Sequence, residues 1–203
     1  MTTAEARGDR YVLRGTKLFV PDARGADLIV VVAKLGNRSG LFAVPRDASA
    51  LAVSPMHVID QTRKLDVVEL DGVELDADAL LGDGPLPDGA LERLVDVARV
   101  LLAAEMCGAA AASLALSVEY VKVRKQFDRT IATFQAIQHK LADMKVLLEN
   151  ARSLVYYAAW ALDTESEDRR IAAAMTKAYA SDACAKIVAD AIHCTRAGKI
   201  KCL

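Results

Sequence analysis

Aromatic side chains are scarce in this sequence, at 5% of 203 residues, although 53% of the chain is hydrophobic. Alanine carries much of the apolar content, which favours closely packed helices. Neither sign of charge predominates: 26 Lys and Arg stand against 27 Asp and Glu, a formal net charge of −1. That balance gives no general attraction to nucleic acid or to an anionic bilayer. Long uncharged runs are missing too. The longest lies between Glu105 and Glu119, 13 residues that include Gly and Ser. A transmembrane helix needs about 20, so no transmembrane segment is expected. The polar start, MTTAEARGDRYVL, has no signal-peptide core. Cysteine is sparse and unpatterned: Cys107, Cys184, Cys194 and Cys202 form no CxxC pair and have no His at zinc spacing. Cys107 and Cys184 fall in helical stretches and read as small core residues. Reduced thiols point to the cytoplasm.

What is present divides near residue 80. Before it come short β-rich runs: Tyr11 to Leu13, Lys17 to Val20, Leu28 to Ala33, Leu41 to Val44, and Leu65 to Leu70. Leu35 to Gly40 reads as a hairpin connection, and Asp71-Gly72 as a turn into Val73-Glu74-Leu75. After it come three long helical patterns, about Leu91 to Lys125, Phe134 to Leu162 and Asp168 to His193. Gly82 to Gly89, with two prolines, is the clearest linker. The expected class is α+β, a small antiparallel β-domain at 1–82 followed by an antiparallel long-helix bundle at 83–203.

A helical bundle invites a test for a di-iron site, which needs Glu-x-x-His pairs. None of His57, His139 or His193 has a Glu three residues earlier, so no metal is expected. No Gly-rich phosphate loop and no Gly-x-Ser-x-Gly elbow occurs. The informative segment is Tyr120 to Met144, where one helix ends in basic residues and another begins. Arg124, Gln126, Arg129 and Gln135 are donors there, beside Phe127 and Phe134. Donors next to apolar rings suit a diphosphate joined to a flat heterocycle. They equally suit a polar helix corner whose basic residues favour the helix dipole.

The run R-K-Q-F-D-R-T-I-A-T-F-Q-A-I-Q-H-K-L-A-D-M resembles the linker and following helix of the acyl-CoA dehydrogenase family. Gly8 to Val20 is similar to that family's strand pair, and Ala26 to Ala33 to its next strand. In order, these motifs cover nearly the whole chain. The family has an N-terminal helical domain, a middle β-domain and a C-terminal helical bundle. By this resemblance the chain begins inside the second and ends within the third, truncated at both ends.

The resemblance implies α,β-dehydrogenation of an acyl-CoA thioester with FAD as cofactor. It also implies a homo- or hetero-oligomer that shares each FAD between subunits, and an electron-transfer acceptor. It places Arg124 and Gln126 at the FAD diphosphate of a neighbouring subunit, with Phe127, Phe134 and Gln135 near the adenosine half. Phe19 falls where an aromatic packs on the flavin ring. Asp96 and Arg99 match helix positions that face the CoA-ester moiety.

Four departures stand out. Asp128 replaces a usual Gly. Pro21 stands where many members place a Thr that bonds the flavin, and proline has neither hydroxyl nor N–H. Ala98 stands where some members carry the catalytic Glu; the other known position of that Glu lies beyond Leu203. His193 to Leu203 replaces a Gly-rich turn. No catalytic residue can be assigned, so whether the chain is itself an enzyme stays open. The alternative is a non-catalytic structural subunit that completes a partner's FAD site.

Overall fold

The structure is a computed structural model that describes residues 2–196; Ala197 to Leu203, most of the anomalous tail, lie outside them. The chain forms two compact units, one up to Ala90 and one from Leu91. The division falls after the Gly82 to Gly89 stretch rather than at its start.

The first unit is a six-stranded sheet. Its strands are β1 (Thr3–Arg7), β2 (Arg10–Pro21), β3 (Leu28–Leu35), β4 (Arg38–Pro45), β5 (Leu51–Pro55) and β6 (Leu65–Asp76), in the order β4-β3-β1-β2-β6-β5. Alternation builds it: along β4 the inward Gly40, Phe42 and Val44 are buried while their neighbours are only partly so. Leu13, Val31, Phe42, Val44, Val68 and Val73 form the centre of the core. The sheet is antiparallel except at one pair. β1 and β3 run parallel, with Thr3 opposite Lys34 and Ala4 opposite Leu35, because β2 leaves one side of β1 and the chain crosses to return on the other. β1 and β5 carry too few strongly β-forming residues to be legible in sequence.

Asp71-Gly72 is not a turn. β6 continues through it, and the inward positions Asp66, Val68 and Leu70 resume one residue late at Val73 and Leu75. The register against β2 slips at the same place, the mark of a bulge. Gly72 has φ +83°, a left-handed backbone that strains any residue with a Cβ, so glycine is favoured at the bulge.

The second unit holds α1 (Ala90–Val123), α2 (Gln135–Asp163) and α3 (Arg169–Arg196). The buried positions of α1 are Asp96, Val100, Ala103, Cys107, Ala110, Leu114, Ser117 and Val121. They alternate steps of four and three, the period that holds one stripe against partner helices. Ala103, Cys107, Ala110 and Leu114 pack with Met144, Leu148 and Ala151 of α2 and with Ala180, Cys184 and Ile187 of α3. By length and composition α1 is apolar enough to cross a membrane, contrary to the reading from its longest uncharged run. Its buried stripe instead forms the core of the bundle. Leu94, Leu101, Leu116 and Val123 stay exposed on its other faces.

Candidate functional site

The segment between α1 and α2 is not the plain helix corner that its basic residues suggest. α1 stops at Val123, and a two-stranded hairpin follows, β7 (Lys125–Gln126) with β8 (Arg129–Thr130). Gln126 pairs with Arg129 and Lys125 with Thr130. The base is closed by Ile131 N–H donating to the Arg124 carbonyl at 2.8 Å. A one-turn 3-10 helix, Ile131–Thr133, leads into α2.

A two-residue hairpin loop of this kind needs positive φ at both central residues. Phe127 has φ +53° and Asp128 φ +61°. Asn-Gly or Asp-Gly would serve at lower cost, and the left-handed region costs an ordinary L-residue about 1–2 kcal/mol. Asp tolerates it better than most residues; Phe does not. Such strain persists only where the surrounding structure fixes it. Phe127 is 76% exposed there.

Its ring meets the Phe134 ring edge-on, with centroids 6.2 Å apart. Arg129 lies over the Phe134 ring, its guanidinium carbon 4.1 Å from the centroid. Phe134 is thus held between an aromatic edge and a cation. The sequence offers Arg129 as a donor beside the rings; its stacking on Phe134 has no sequence signature of its own. Gln126 Nε2 donates to the Lys125 carbonyl at 2.9 Å, a local bond that a stronger acceptor can replace. Arg124 is half-buried at the base, and Gln135 is exposed at the first position of α2. The structure brings the Phe127 and Phe134 rings together with Arg129; Gln126 lies in the hairpin, Arg124 at its base and Gln135 directly after Phe134.

Asp96 and Arg99 lie elsewhere. From Arg99 to Val123, α1 rises about 36 Å at 1.5 Å per residue. One ligand gripped at the hairpin does not reach the pair on the same helix. Asp96 is only 4% exposed and accepts a 2.7 Å bond from Arg99 Nη1. Asp96 faces inward, and the part-exposed Arg99 guanidinium is the group that solvent reaches. Ala98 is exposed between them, a methyl that can neither take nor give a proton.

Phe19 belongs to the β unit. Between Lys17 and Val20 the β2–β6 register slips, so that Leu18 and Phe19 oppose Val67 alone. This bulge turns Phe19 outward, 62% exposed with φ +58°, and its N–H points at Met56 Sδ at 3.3 Å. Bulges re-aim side chains beside working sites. Opposite Val20, fully buried Asp66 accepts Arg24 Nε at 2.7 Å and Arg24 N–H at 3.0 Å. That clamp on the β2–β3 loop was missed, because neither residue sits in a recognisable motif. Pro21 ends β2 opposite Leu65. No group of three or more His, Cys, Asp or Glu side chains could hold a metal ion among the described residues.

Comparison with known proteins gives a consistent picture. Residues 89–195 match the family model described as acyl-CoA dehydrogenase, C-terminal domain. The chain is 34% identical over 209 residues to a 3-(aryl)acrylate reductase of Clostridium sporogenes, covering 95% of this chain and 52% of the relative. It is 31% identical over 200 residues to a caffeyl-CoA reductase-Etf complex subunit, CarC, of Acetobacterium woodii, with 95% and 52% coverage. The solved structure of an FAD-dependent dehydrogenase superposes with a TM-score of 0.88 at 34% identity, over 97% of this chain and 54% of that one. The chain spans about half the length of the curated relatives it matches.

Proposed function

The chain belongs to the acyl-CoA dehydrogenase family, and from that premise we propose that it serves an FAD-dependent α,β-dehydrogenation of an acyl-CoA thioester. One observation carries the reading: the strained hairpin at 125–130 brings the Phe127 ring and the Arg129 guanidinium against the Phe134 ring, with Gln126 in the hairpin and Arg124 at its base. That donor set fits FAD. Arg124 and Gln126 hold the diphosphate, a charge-assisted contact for which arginine is well suited. Phe127, Phe134 and Gln135 flank the adenosine half, and Phe19 packs on the flavin ring.

Because Arg99 lies about 36 Å along α1 from the hairpin, the FAD held by Arg124 serves a site other than the one containing Arg99 of the same chain. This separation supports an assembly of two or more subunits, homo- or hetero-oligomeric, as part of the same proposal. At the substrate end Arg99 contacts the CoA-ester moiety, and Asp96 positions Arg99 by their 2.7 Å bond. When bound, FAD supplies the acceptor for the hydride that leaves the β-carbon; an electron-transfer protein then takes the electrons. The α-proton requires a carboxylate in a dry setting, and Ala98 cannot provide it.

That alanine favours a second reading, in which this chain is a non-catalytic subunit that lends Arg124 and Gln126 to a complete partner. A visible spectrum of the purified chain with added FAD, followed by an acyl-CoA assay with an artificial electron acceptor, separates the two. Bound flavin that bleaches with substrate supports the enzyme. Flavin retained only with a full-length partner supports the subunit. A colourless protein in both settings refutes both.

A further inference from the structure

In the six-stranded sheet, β2 and β3 are longer than the strand that separates them. β1 pairs with β2 only from Arg10 to Arg14, and with β3 only at Lys34 and Leu35. Yet β2 runs on to Pro21, and β3 begins at Leu28. Gly15 to Lys17 of β2 therefore face the first residues of β3 across the line of β1, with no described strand between them. The other edges of both strands are taken, β2 by β6 and β3 by β4 along their lengths. The open edges face each other, and regular strand spacing makes the gap one strand wide.

Backbone alternation defines what the gap offers. Lys34 N–H donates to the Thr2 carbonyl at 2.9 Å. Val32, Val30 and Leu28, at steps of two, therefore turn their N–H and C=O groups to the same edge. Lys17 Nζ donates to the Val32 carbonyl at 2.6 Å, so a side chain from β2 stands in for a backbone donor. Burial there pushes the Lys17 ammonium below the usual lysine range. Thr2, at the closed end of the gap, is 3% exposed, and its Oγ1 has no hydrogen-bond partner among the described residues. A buried hydroxyl left unpaired costs free energy. On the outer face, Leu18, Leu28 and Val30 are all more than half exposed.

We propose that this gap is a docking site for an extended peptide of another polypeptide, one that sets a carboxylate opposite Lys17 between apolar neighbours. The peptide lies in line with β1, parallel to β3 and antiparallel to β2. Its N–H takes over the Val32 carbonyl and frees the Lys17 ammonium for the carboxylate. Register fixes the side-chain pattern. Thr3 lies opposite Arg14, so the same line places Thr2 opposite Gly15 and a docked residue two steps further on opposite Lys17. Gly15 and Lys17 are half-buried while Arg14, Thr16 and Leu18 are exposed, so Lys17 belongs to the inner face. Residues directly opposite share a face and interact, so an Asp or Glu there pairs the buried cation. Its two neighbours fall on the outer face, against Leu18 and Val30, and are apolar. Main-chain bonds supply the affinity of such strand addition, and alternate side chains supply the specificity. The open inner edges are a template of the kind that proteins otherwise cover.

NMR titration of the isotope-labelled full chain with the peptide acetyl-Ser-Val-Glu-Val-amide, and with its Ser-Val-Lys-Val counterpart, tests this. Concentrations reach about 5 mM, to suit the weak affinity of a short flexible peptide. The Glu peptide should shift the Val30 and Val32 amides saturably and slow their hydrogen exchange. The Lys peptide should bind about tenfold more weakly, since a like charge replaces an opposite one across the pair. Lys17→Met should keep the Val30 and Val32 response but bind the two peptides equally, a loss of charge selectivity that a merely structural lysine would not show. Unmoved Val30 and Val32 amides in the wild type would overturn the proposal, as would equal affinity of the wild type for both peptides. So would protection of those amides that grows with protein concentration alone, which would give the gap to a second copy of the chain. The wild-type comparison decides the matter even if Lys17→Met does not fold.

Discussion

Asp66→Ala should loosen the β unit by about 3 kcal/mol and free Phe19 from its fixed setting. The carboxylate is fully buried and receives two bonds from one residue, Arg24, through Nε at 2.7 Å and the backbone N–H at 3.0 Å. Hydrogen bonds to a charged group contribute about 1.5–3 kcal/mol each. The guanidinium is partly in water, which screens its share; taking about 1.5 kcal/mol, the lower end of the range, for each bond gives about 3 kcal/mol. Amide hydrogen exchange by mass spectrometry reads the effect locally. Protection along β6 should fall by about 150-fold, at 1.4 kcal/mol per factor of ten. Trp160, the single tryptophan, reports the helical unit, and its fluorescence transition should stay in place. Asp66→Asn, which keeps one acceptor, should lose roughly half as much. Protection within fivefold of wild type in the alanine variant would refute the reasoning, because a clamp that bears on the bulge cannot be removed without cost.

Three further outcomes follow from the helical unit. Asp190 accepts Lys140 Nζ at 2.7 Å and Lys186 Nζ at 2.9 Å, tying α2 to α3. Those two lysines hold its carboxyl below the usual aspartate range. A depressed pKa in the folded state gives stability that is present above the unfolded value, about 3.9, and lost as pH falls through the folded value. Asp190→Asn should therefore weaken the protein at pH 7 and flatten the acid limb of a urea titration below pH 4. Leu148→Ala, among alanines that cannot fill the void, should cost about 3–4 kcal/mol by urea denaturation followed at Trp160; a loss under 1 kcal/mol would show that α1 is not packed there. Arg129→Met should release Phe134 with a loss of about 0.5–1 kcal/mol, seen as a change in Phe134 ring shifts by NMR.

The architecture was legible where periodicity is strong. The alternation in β4 dictates a single buried face, whereas the helical spacing of α1 gives the element but not its orientation: Leu94, Val95, Ala98, Leu101 and Leu102 recur at helical spacing yet lie exposed, and the small-residue stripe through Ala103, Cys107 and Ala110 is the buried one. What escaped has physical reasons. β1 is short and rich in alanine and charge, and its identity comes from pairing on both sides. Gly72 carries the same signal whether it makes a turn or a bulge, and only the shifted inward positions beyond it distinguish them. The hairpin at the candidate site was hidden because Phe127-Asp128 adopts a glycine-type conformation without a glycine. For the site itself, Arg124, Gln126, Phe127, Phe134 and Gln135 are close in sequence and therefore close in space. The inward turn of Asp96 depends on which stripe of α1 is buried, and the Arg24–Asp66 clamp joins residues 42 positions apart; neither is a local property.

The central claim is that the 124–135 segment grips the diphosphate of FAD. Titration of FAD into the wild-type chain and into Arg124→Ala, with Trp160 fluorescence confirming that both are folded, tests it most directly. Loss of one charge-assisted contact of about 1.5–3 kcal/mol predicts affinity weakened about 10- to 150-fold, with ADP competing for the wild-type site and riboflavin failing to. Equal affinity in the two proteins, or displacement by riboflavin but not by ADP, would contradict it.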